Sequence, residues 1–287
     1  MKSTSTWTRA LRASGKVKPH DKYLVVQGVR TRYVEDGGHH KGVPLVVVHG
    51  YNGSCDYWYP QFLPLVAAER WVIALDLPGC GLSGKLPMHT TETYAEFLAA
   101  FLDTLGIERA DMLGHSMGGL LSLATAARYP ERIRKLVLFD SAGLPELARP
   151  HWKVPLRGVT DSSNRLWRLY PTFVRTGLRA RTAREGLDII RKYNVRRDLR
   201  LLRAPTLIVW GSRDRLVPLE HGAFMAKHIP GARLAVVRGA GHMPFYERPE
   251  ECNRIVLGFL RGELHEEVPL RPLSHSAERS MEPQFAI

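Results

Sequence analysis

Leu113-Gly114-His115-Ser116-Met117-Gly118-Gly119 is the stretch on which the fold turns. Before it, Ala110-Asp111-Met112-Leu113 reads as a short buried strand. After it, Gly119 to Arg128 is rich in strong helix formers and reads as a helix. Between them lies G-x-S-x-G, with Gly114 and Gly118 two residues either side of Ser116. A strand that turns sharply into a helix lifts its apex residue into the open and strains that residue's backbone. Side chains at the flanking positions would strike the neighbouring strand and helix, so glycine fits there. The helix N-terminus then aims its N–H groups at whatever reacts at the apex.

Working outward, the chain alternates between two patterns. Pro44-Leu45-Val46-Val47-Val48 and Trp71-Val72-Ile73-Ala74-Leu75 are continuous apolar runs, as strands buried on both faces should be. Each ends in a polar or glycine-rich loop, His49-Gly50-Tyr51-Asn52-Gly53 and Asp76-Leu77-Pro78-Gly79-Cys80-Gly81-Leu82-Ser83-Gly84. Ahead of them, Tyr23–Gln27 and Val29–Val34 read as a strand pair turned at Gly28. Tyr94, Phe97, Leu98, Phe101, Leu102 and Leu105 recur at helical spacing, with Thr93 and Glu96 as the expected capping box and Gly106 as the stop. Further strands are expected at Leu136–Phe139, Thr206–Trp210 and Arg233–Val237, and further helices near Leu219–His228 and Pro249–Leu260. Strands alternating with helices define the α/β class: a mostly parallel, doubly wound sheet covered on both faces. Such sheets bind ligands at the C-terminal ends of their strands, and each motif named above follows a strand.

Composition divides the chain further. Its 287 residues allow one large α/β core with an insert. The net charge of +13 is uneven: residues 1–20 carry five basic residues and no acid, and residues 149–203 carry 15 Lys/Arg against 4 Asp/Glu. The expected division is a flexible basic arm (1–20), a core (21–141 and 203–262), a helical cap (142–202) and a disordered tail (263–287). No apolar run approaches the ~20 residues of a membrane span. No apolar segment near the N-terminus suggests a secretory signal. Cys55, Cys80 and Cys252 are sparse and odd in number, which fits a reducing compartment rather than a disulfide framework. The expected location is cytoplasmic. The positive field of the cap makes an anionic membrane surface or an acidic carrier the expected docking partner there. Nucleic acid is not expected, since no recognised binding module accompanies the charge.

A serine hydroxyl is a weak nucleophile at neutral pH; it needs a base, and the base needs an orienting acid. Of the 12 histidines, His242 alone combines a strand-end loop with small neighbours, in Gly239-Ala240-Gly241-His242-Met243-Pro244. His115 is expected to point away from the hydroxyl into the packing of the turn, His49 to brace the loop it begins, and His221 and His228 to lie on a helix surface. For the acid there are two candidates, both after strands: Asp214, favoured because it gives the chain order Ser, Asp, His, and Asp140. The oxyanion of the tetrahedral intermediate calls for two backbone N–H donors, those of Tyr51 and Met117. The Asp76–Gly81 loop lacks the G-K-[ST] ending of a phosphate loop. No Cys/His cluster or H-E-x-x-H occurs, so neither a cofactor nor a metal is expected.

Jointly, His49-Gly50, Asp76 to Ser83, Gly114 to Gly119, Gly211-Ser212-Arg213-Asp214-Arg215-Leu216-Val217-Pro218 and Gly241-His242 resemble the α/β-hydrolase-fold superfamily over about residues 20–262. The resemblance is to its serine esterases and lipases. The S-M-G-G and D-R-x-V-P features are also similar to meta-cleavage-product C–C hydrolases, although Tyr51 and Met243 stand where those enzymes usually carry Gly/Ser-rich sequence and tryptophan. What it implies is a cap inserted after Phe139, a Ser116–His242–Asp214 triad, and hydrolysis of a small-molecule carboxylic ester or acyl substrate through an acyl-enzyme. Asn52, Trp58, Tyr59 and Met243, with the cap aromatics Trp152, Trp167, Tyr170 and Phe173, are the expected substrate contacts. The alternatives are C–C bond hydrolysis and a triad-bearing small-molecule receptor with little turnover.

Overall fold

A computed structural model describes residues 21–58, 66–145 and 180–263. Tyr59, the four cap aromatics, the basic arm and nearly all of the expected tail lie outside the described residues. Eight strands form one sheet: β1 (Lys22–Val26), β2 (Val29–Asp36), β3 (Leu45–Val48), β4 (Val72–Leu75), β5 (Ala110–His115), β6 (Ile133–Phe139), β7 (Thr206–Gly211) and β8 (Arg233–Val237), in spatial order β1-β2-β4-β3-β5-β6-β7-β8. The β1–β2 hairpin and the β2–β4 pairing are antiparallel, and every other pairing is parallel. The hairpin turns on Gln27 and Gly28, both at positive φ, 48° and 76°. That pair of left-handed residues matches the right-handed twist of the strands it joins.

The helices are α1 (Thr91–Thr104), α2 (Met117–Arg128), α3 (Ala180–Lys192), α4 (Arg196–Leu199), α5 (Leu219–His228), α6 (Pro244–Glu247) and α7 (Pro249–Arg261). β3, β4, β5 and β7 are buried along their whole length. Successive side chains of a strand point to opposite faces. Leu136 and Leu138 of β6 therefore join Phe97, Phe101 and Leu120 in one core layer, while Val137 and Phe139 join Trp58, Phe245 and Phe259 in the other.

Two expectations are corrected. Helix α1 begins at Thr91, not near Thr93: Thr90 is the N-cap, its hydroxyl accepts from the Thr93 N–H, and the Thr93 hydroxyl accepts from the Thr90 N–H. A threonine thus does the work of the acidic residue that usually closes a capping box. His221 is not on the surface; it is 1% exposed and faces Trp210. Gly222 explains why, since α5 lies so close to the Trp210 ring that a Cβ there would meet ring atoms at 2.6 Å.

A cluster of charged residues around Arg32 lies deep in the core. Arg32 on β2 is 1% exposed and pairs with Asp21, Asp56 and Asp76 at 2.7, 2.6 and 3.2 Å. Asp76 also accepts from the N–H groups of Cys55 at 2.7 Å and Leu82 at 2.8 Å. This cluster ties the loop after β3 to the loop after β4.

Candidate active site

Ser116 stands between β5 and α2 with φ 54° and ψ −118°, a conformation that costs a non-glycine residue about 1–3 kcal/mol. The cost is offset by bonds on both sides of the apex. The Ser116 N–H donates to the Phe139 carbonyl at 3.0 Å, and the Ser116 carbonyl accepts from Leu120 at 3.1 Å and Ala142 at 3.0 Å. The glycines fit as the spacing requires. A Cβ on Gly114 would strike the Gly118 backbone and Ser122 Oγ, and one on Gly118 would strike the Val48 and His49 carbonyls. A Cβ on Gly50 would meet His115 Nδ1 at 2.9 Å and Ser116 Cβ at 3.2 Å. Gly50 thus lets the loop after β3 run directly beside the serine.

That loop carries Tyr51 directly after Gly50, and α2 begins at Met117 directly after Ser116. An N–H in the first turn of a helix has no acceptor within the helix, so the Met117 amide suits an oxyanion contact. His49 locks the loop. Its Nε2 accepts from the Leu77 N–H at 2.9 Å, which places the ring proton on Nδ1, the atom 2.8 Å from the Gly50 carbonyl. Burial holds this imidazole below its ordinary pKa, in keeping with a neutral ring. Gly186 of α3 then covers the pair: a Cβ there would lie 3.2 Å from the Tyr51 ring and 3.5 Å from Met117 Sδ.

His242 follows β8 and Asp214 follows β7. Nδ1 of His242 lies 2.7 Å from Asp214 Oδ2. Oδ1 of Asp214 accepts from the N–H groups of Leu216 and Val217 at 2.8 and 3.0 Å, which fixes the carboxylate plane. With Nδ1–H committed to Asp214, Nε2 is left as the basic nitrogen. The strands supporting these loops approach as closely as glycine permits, since a Cβ on Gly211 would strike the Gly241 carbonyl. Glu247 of α6 accepts from the Gly241 N–H through both oxygens, at 3.1 and 3.2 Å.

His115 has a contact that sequence reasoning did not assign. Its ring packs among Trp58, Phe245 and His242, and its Nε2 donates to the His242 carbonyl at 2.7 Å, with the His115 and His242 rings 4.7 Å apart. The residue preceding the serine therefore fixes the backbone of the histidine loop. Burial pushes the His115 pKa well below its ordinary value, so the ring stays neutral. Its place inside G-x-S-x-G is the sequence signal for this role, since that position sits at the strand-end edge of the sheet to which the loop after β8 also returns. Asp140, the rival acid, lies at the same site: one carboxylate oxygen each from Asp140 and Asp214 and a ring nitrogen of His242 lie within 4.8 Å of one another. Such a trio is spaced as metal ligands can be, but here Nδ1 and Oδ2 are engaged with each other in a hydrogen bond.

The expected substrate contacts fare differently. Trp58 has no exposed surface; its ring lies 4.4 Å from that of Phe245 and edge-on to His115, so among the described residues it packs in the core. Met243 is 3% exposed and belongs to the same apolar layer. Asn52 is half-buried at φ 59°, with a buried Oδ1 that has no hydrogen-bond partner among the described residues. Cys80 is buried, and its thiol is pushed up to about 12, mainly by burial and then by the Asp76 charge, which disfavours the thiolate.

Residues 43–249 match the alpha/beta hydrolase fold family. The chain belongs to that family. It is 37% identical over 268 residues to a dihydrolipoyllysine-residue acetyltransferase component of the acetoin cleaving system of Pseudomonas putida, covering 85% of this chain and 70% of the relative. It is 32% identical over 255 residues to a 2-hydroxy-6-oxononadienedioate/2-hydroxy-6-oxononatrienedioate hydrolase of Burkholderia vietnamiensis, covering 76% and 86%. It is 30% identical over 245 residues to a pimeloyl-[acyl-carrier protein] methyl ester esterase of Neisseria meningitidis, covering 76% and 93%. Among the described residues, no helix is long and apolar enough to cross a membrane.

Proposed function

We propose that this protein is a serine hydrolase of carboxylic esters that acts through an acyl-enzyme. The observation that carries this reading is the 2.7 Å bond from His242 Nδ1 to Asp214 Oδ2, in a loop that His115, the residue before the strained Ser116, ties to the strand-to-helix turn. Ser116 Oγ attacks the ester carbonyl carbon as His242 Nε2 takes its proton. The tetrahedral oxyanion is met by the Tyr51 and Met117 amides, and each such donor is worth on the order of 10²–10³ in rate. His242 then protonates the leaving alcohol. Water, activated by the same nitrogen, attacks the acyl-Ser116 ester and frees the acid. Asp214 holds the imidazole in the required tautomer and stabilises the imidazolium.

The esterase relative supports the ester reading, and the 2-hydroxy-6-oxo acid hydrolase relative supports C–C bond hydrolysis as the second. The test is hydrolysis of p-nitrophenyl esters from acetate to palmitate by wild type and Ser116→Ala. Turnover abolished by the substitution is the expected result. A folded wild type that turns over no ester, but cleaves a vinylogous 1,5-diketone acid, favours the second reading. Slow single turnover with retained ligand favours a receptor. The docking face proposed for an anionic membrane surface or acidic carrier includes the exposed Arg191, Lys192, Arg197, Arg200 and Arg203, with Leu201 exposed among them.

A further inference from the structure

Asp140 is the last fixed group at the end of β6, and it is built unlike an ordinary loop aspartate. It has no exposed surface and a φ of 42°, and its N–H donates to the Val209 carbonyl at 3.1 Å. Its Oδ1 accepts from the Gly211 N–H at 2.9 Å. Its Oδ2 is buried and makes no hydrogen bond of normal geometry among the described residues, although it belongs to a carboxyl group within 4.8 Å of Asp214 and His242. Two carboxylates this close in a buried site do not both ionise. The donor count decides which one keeps the charge. Among the described residues, Asp214 receives two backbone N–H groups and the His242 Nδ1–H, whereas Asp140 receives only the Gly211 N–H. Among the described residues, the groups found to act on Asp140 add no positive charge to offset this. They are Asp214 and the Gly211 amide from the β7 side, His242 and Glu247 from the loop and helix after β8, and Cys252 from α7. Burial first, and then the Asp214 charge, push the Asp140 carboxyl well above the usual carboxylate range.

We propose that Asp140 is a second positioning acid of this site, paired with Asp214 through one proton and able to orient His242 itself. In the wild type its carboxylic O–H turns toward the Asp214 carboxylate, leaves the pair with one negative charge, and so keeps that charge on the oxygen facing Nδ1. When the Asp214 carboxylate is removed, the group that suppressed ionisation of Asp140 is gone. Asp140 then releases its proton to solvent and accepts the His242 Nδ1–H. The inference rests on the triad reading above, but two of its tests do not depend on turnover.

The experiment compares Asp214→Ala with Asp140→Asn/Asp214→Ala. Losing the orienting acid of a triad outright costs on the order of 10⁴ in rate. With Asp140 in reserve, Asp214→Ala should react with a fluorophosphonate only about 10–100-fold more slowly than wild type, with a rate that climbs with pH as Asp140 ionises. The double variant should fall to the full loss, without the climb. Equal rates in the two variants would overturn the proposal. If wild type itself does not react, the esterase reading fails instead, and proton NMR decides the inference. A downfield His242 Nδ1–H signal should be present in Asp214→Ala and absent from the double variant; its absence from both refutes the reserve role. Should Asp214→Ala not fold, the infrared band of a neutral carboxylic acid at pH 7, present in wild type and lost in Asp140→Asn, remains as the readout. No such band in wild type refutes the shared proton.

Discussion

Replacing Gly118 with alanine sets two physical effects against each other. Gly118 lies in the first turn of α2, where alanine is favoured over glycine by about 1 kcal/mol on helix propensity alone. The site reverses that sign. A Cβ at this position would stand 2.9 Å from the His49 carbonyl carbon and closer still to the Val48 and His49 oxygens, where ordinary contact begins near 3.4 Å. Its neighbours are backbone, so no side chain can swing away. Either α2 or the loop after β3 must move by about 0.5–1 Å, and overpacking of this kind costs about 1–3 kcal/mol. The movement separates the Met117 amide from Tyr51, and a misplacement near 1 Å can lower rate about 10²-fold. Gly118→Ala should therefore lose about 1–2 kcal/mol in urea unfolding. It should also lose kcat on p-nitrophenyl butyrate by at least tenfold, with a smaller change in KM. A variant more stable than wild type, with kcat within threefold, would refute the claim that this close approach sets the oxyanion geometry.

Other outcomes follow from the buried charges and the basic face. Arg32→Met strands Asp56 and Asp76 in the core and should cost about 3–5 kcal/mol. Arg32 is the group that holds the buried Asp56 carboxyl down, so the Asp56 pKa then rises further and the loss should be greater at pH 8 than at pH 5.5; urea titrations at both pH values check the sign. Asp140→Asn acts through the same linkage. An acid whose folded pKa is raised contributes stability that is full below its unfolded pKa and is lost as pH rises through the folded value. The wild type should therefore lose stability with rising pH above the ordinary carboxylate range, by up to about 1.4 kcal/mol per pH unit, and the variant should show a shallower slope. On the proposed docking face, Arg197→Glu with Arg200→Glu should weaken binding to phosphatidylglycerol vesicles, and salt should weaken wild-type binding; binding insensitive to both would remove the electrostatic role.

The sheet was legible because period-2 and continuous apolar runs survive any tertiary context, as in β3 and β4. The Ser116, Asp214 and His242 loops were legible because each follows a strand, and a parallel sheet brings the C-terminal ends of its strands to one edge. What escaped was packing across elements. The burial of Trp58 depends on Phe245 and His115, far away in sequence. The burial of His221 depends on a glycine that lets α5 drop onto Trp210. The α1 start was misplaced because threonine can cap as an acid does, so the side-chain pattern alone fits two registers. The proximity of Asp140 to Asp214 was half legible: both were candidates, but only the β6–β7 register brings them to one histidine.

The central claim is that Ser116 is a nucleophile activated by His242. The direct measurement is peptide mass mapping after brief exposure to a fluorophosphonate probe at neutral pH, with His242→Ala as comparison. A single adduct on Ser116 that forms rapidly in wild type and is abolished in His242→Ala is the predicted result. No adduct on folded wild type, or one that forms equally fast without His242, would contradict it.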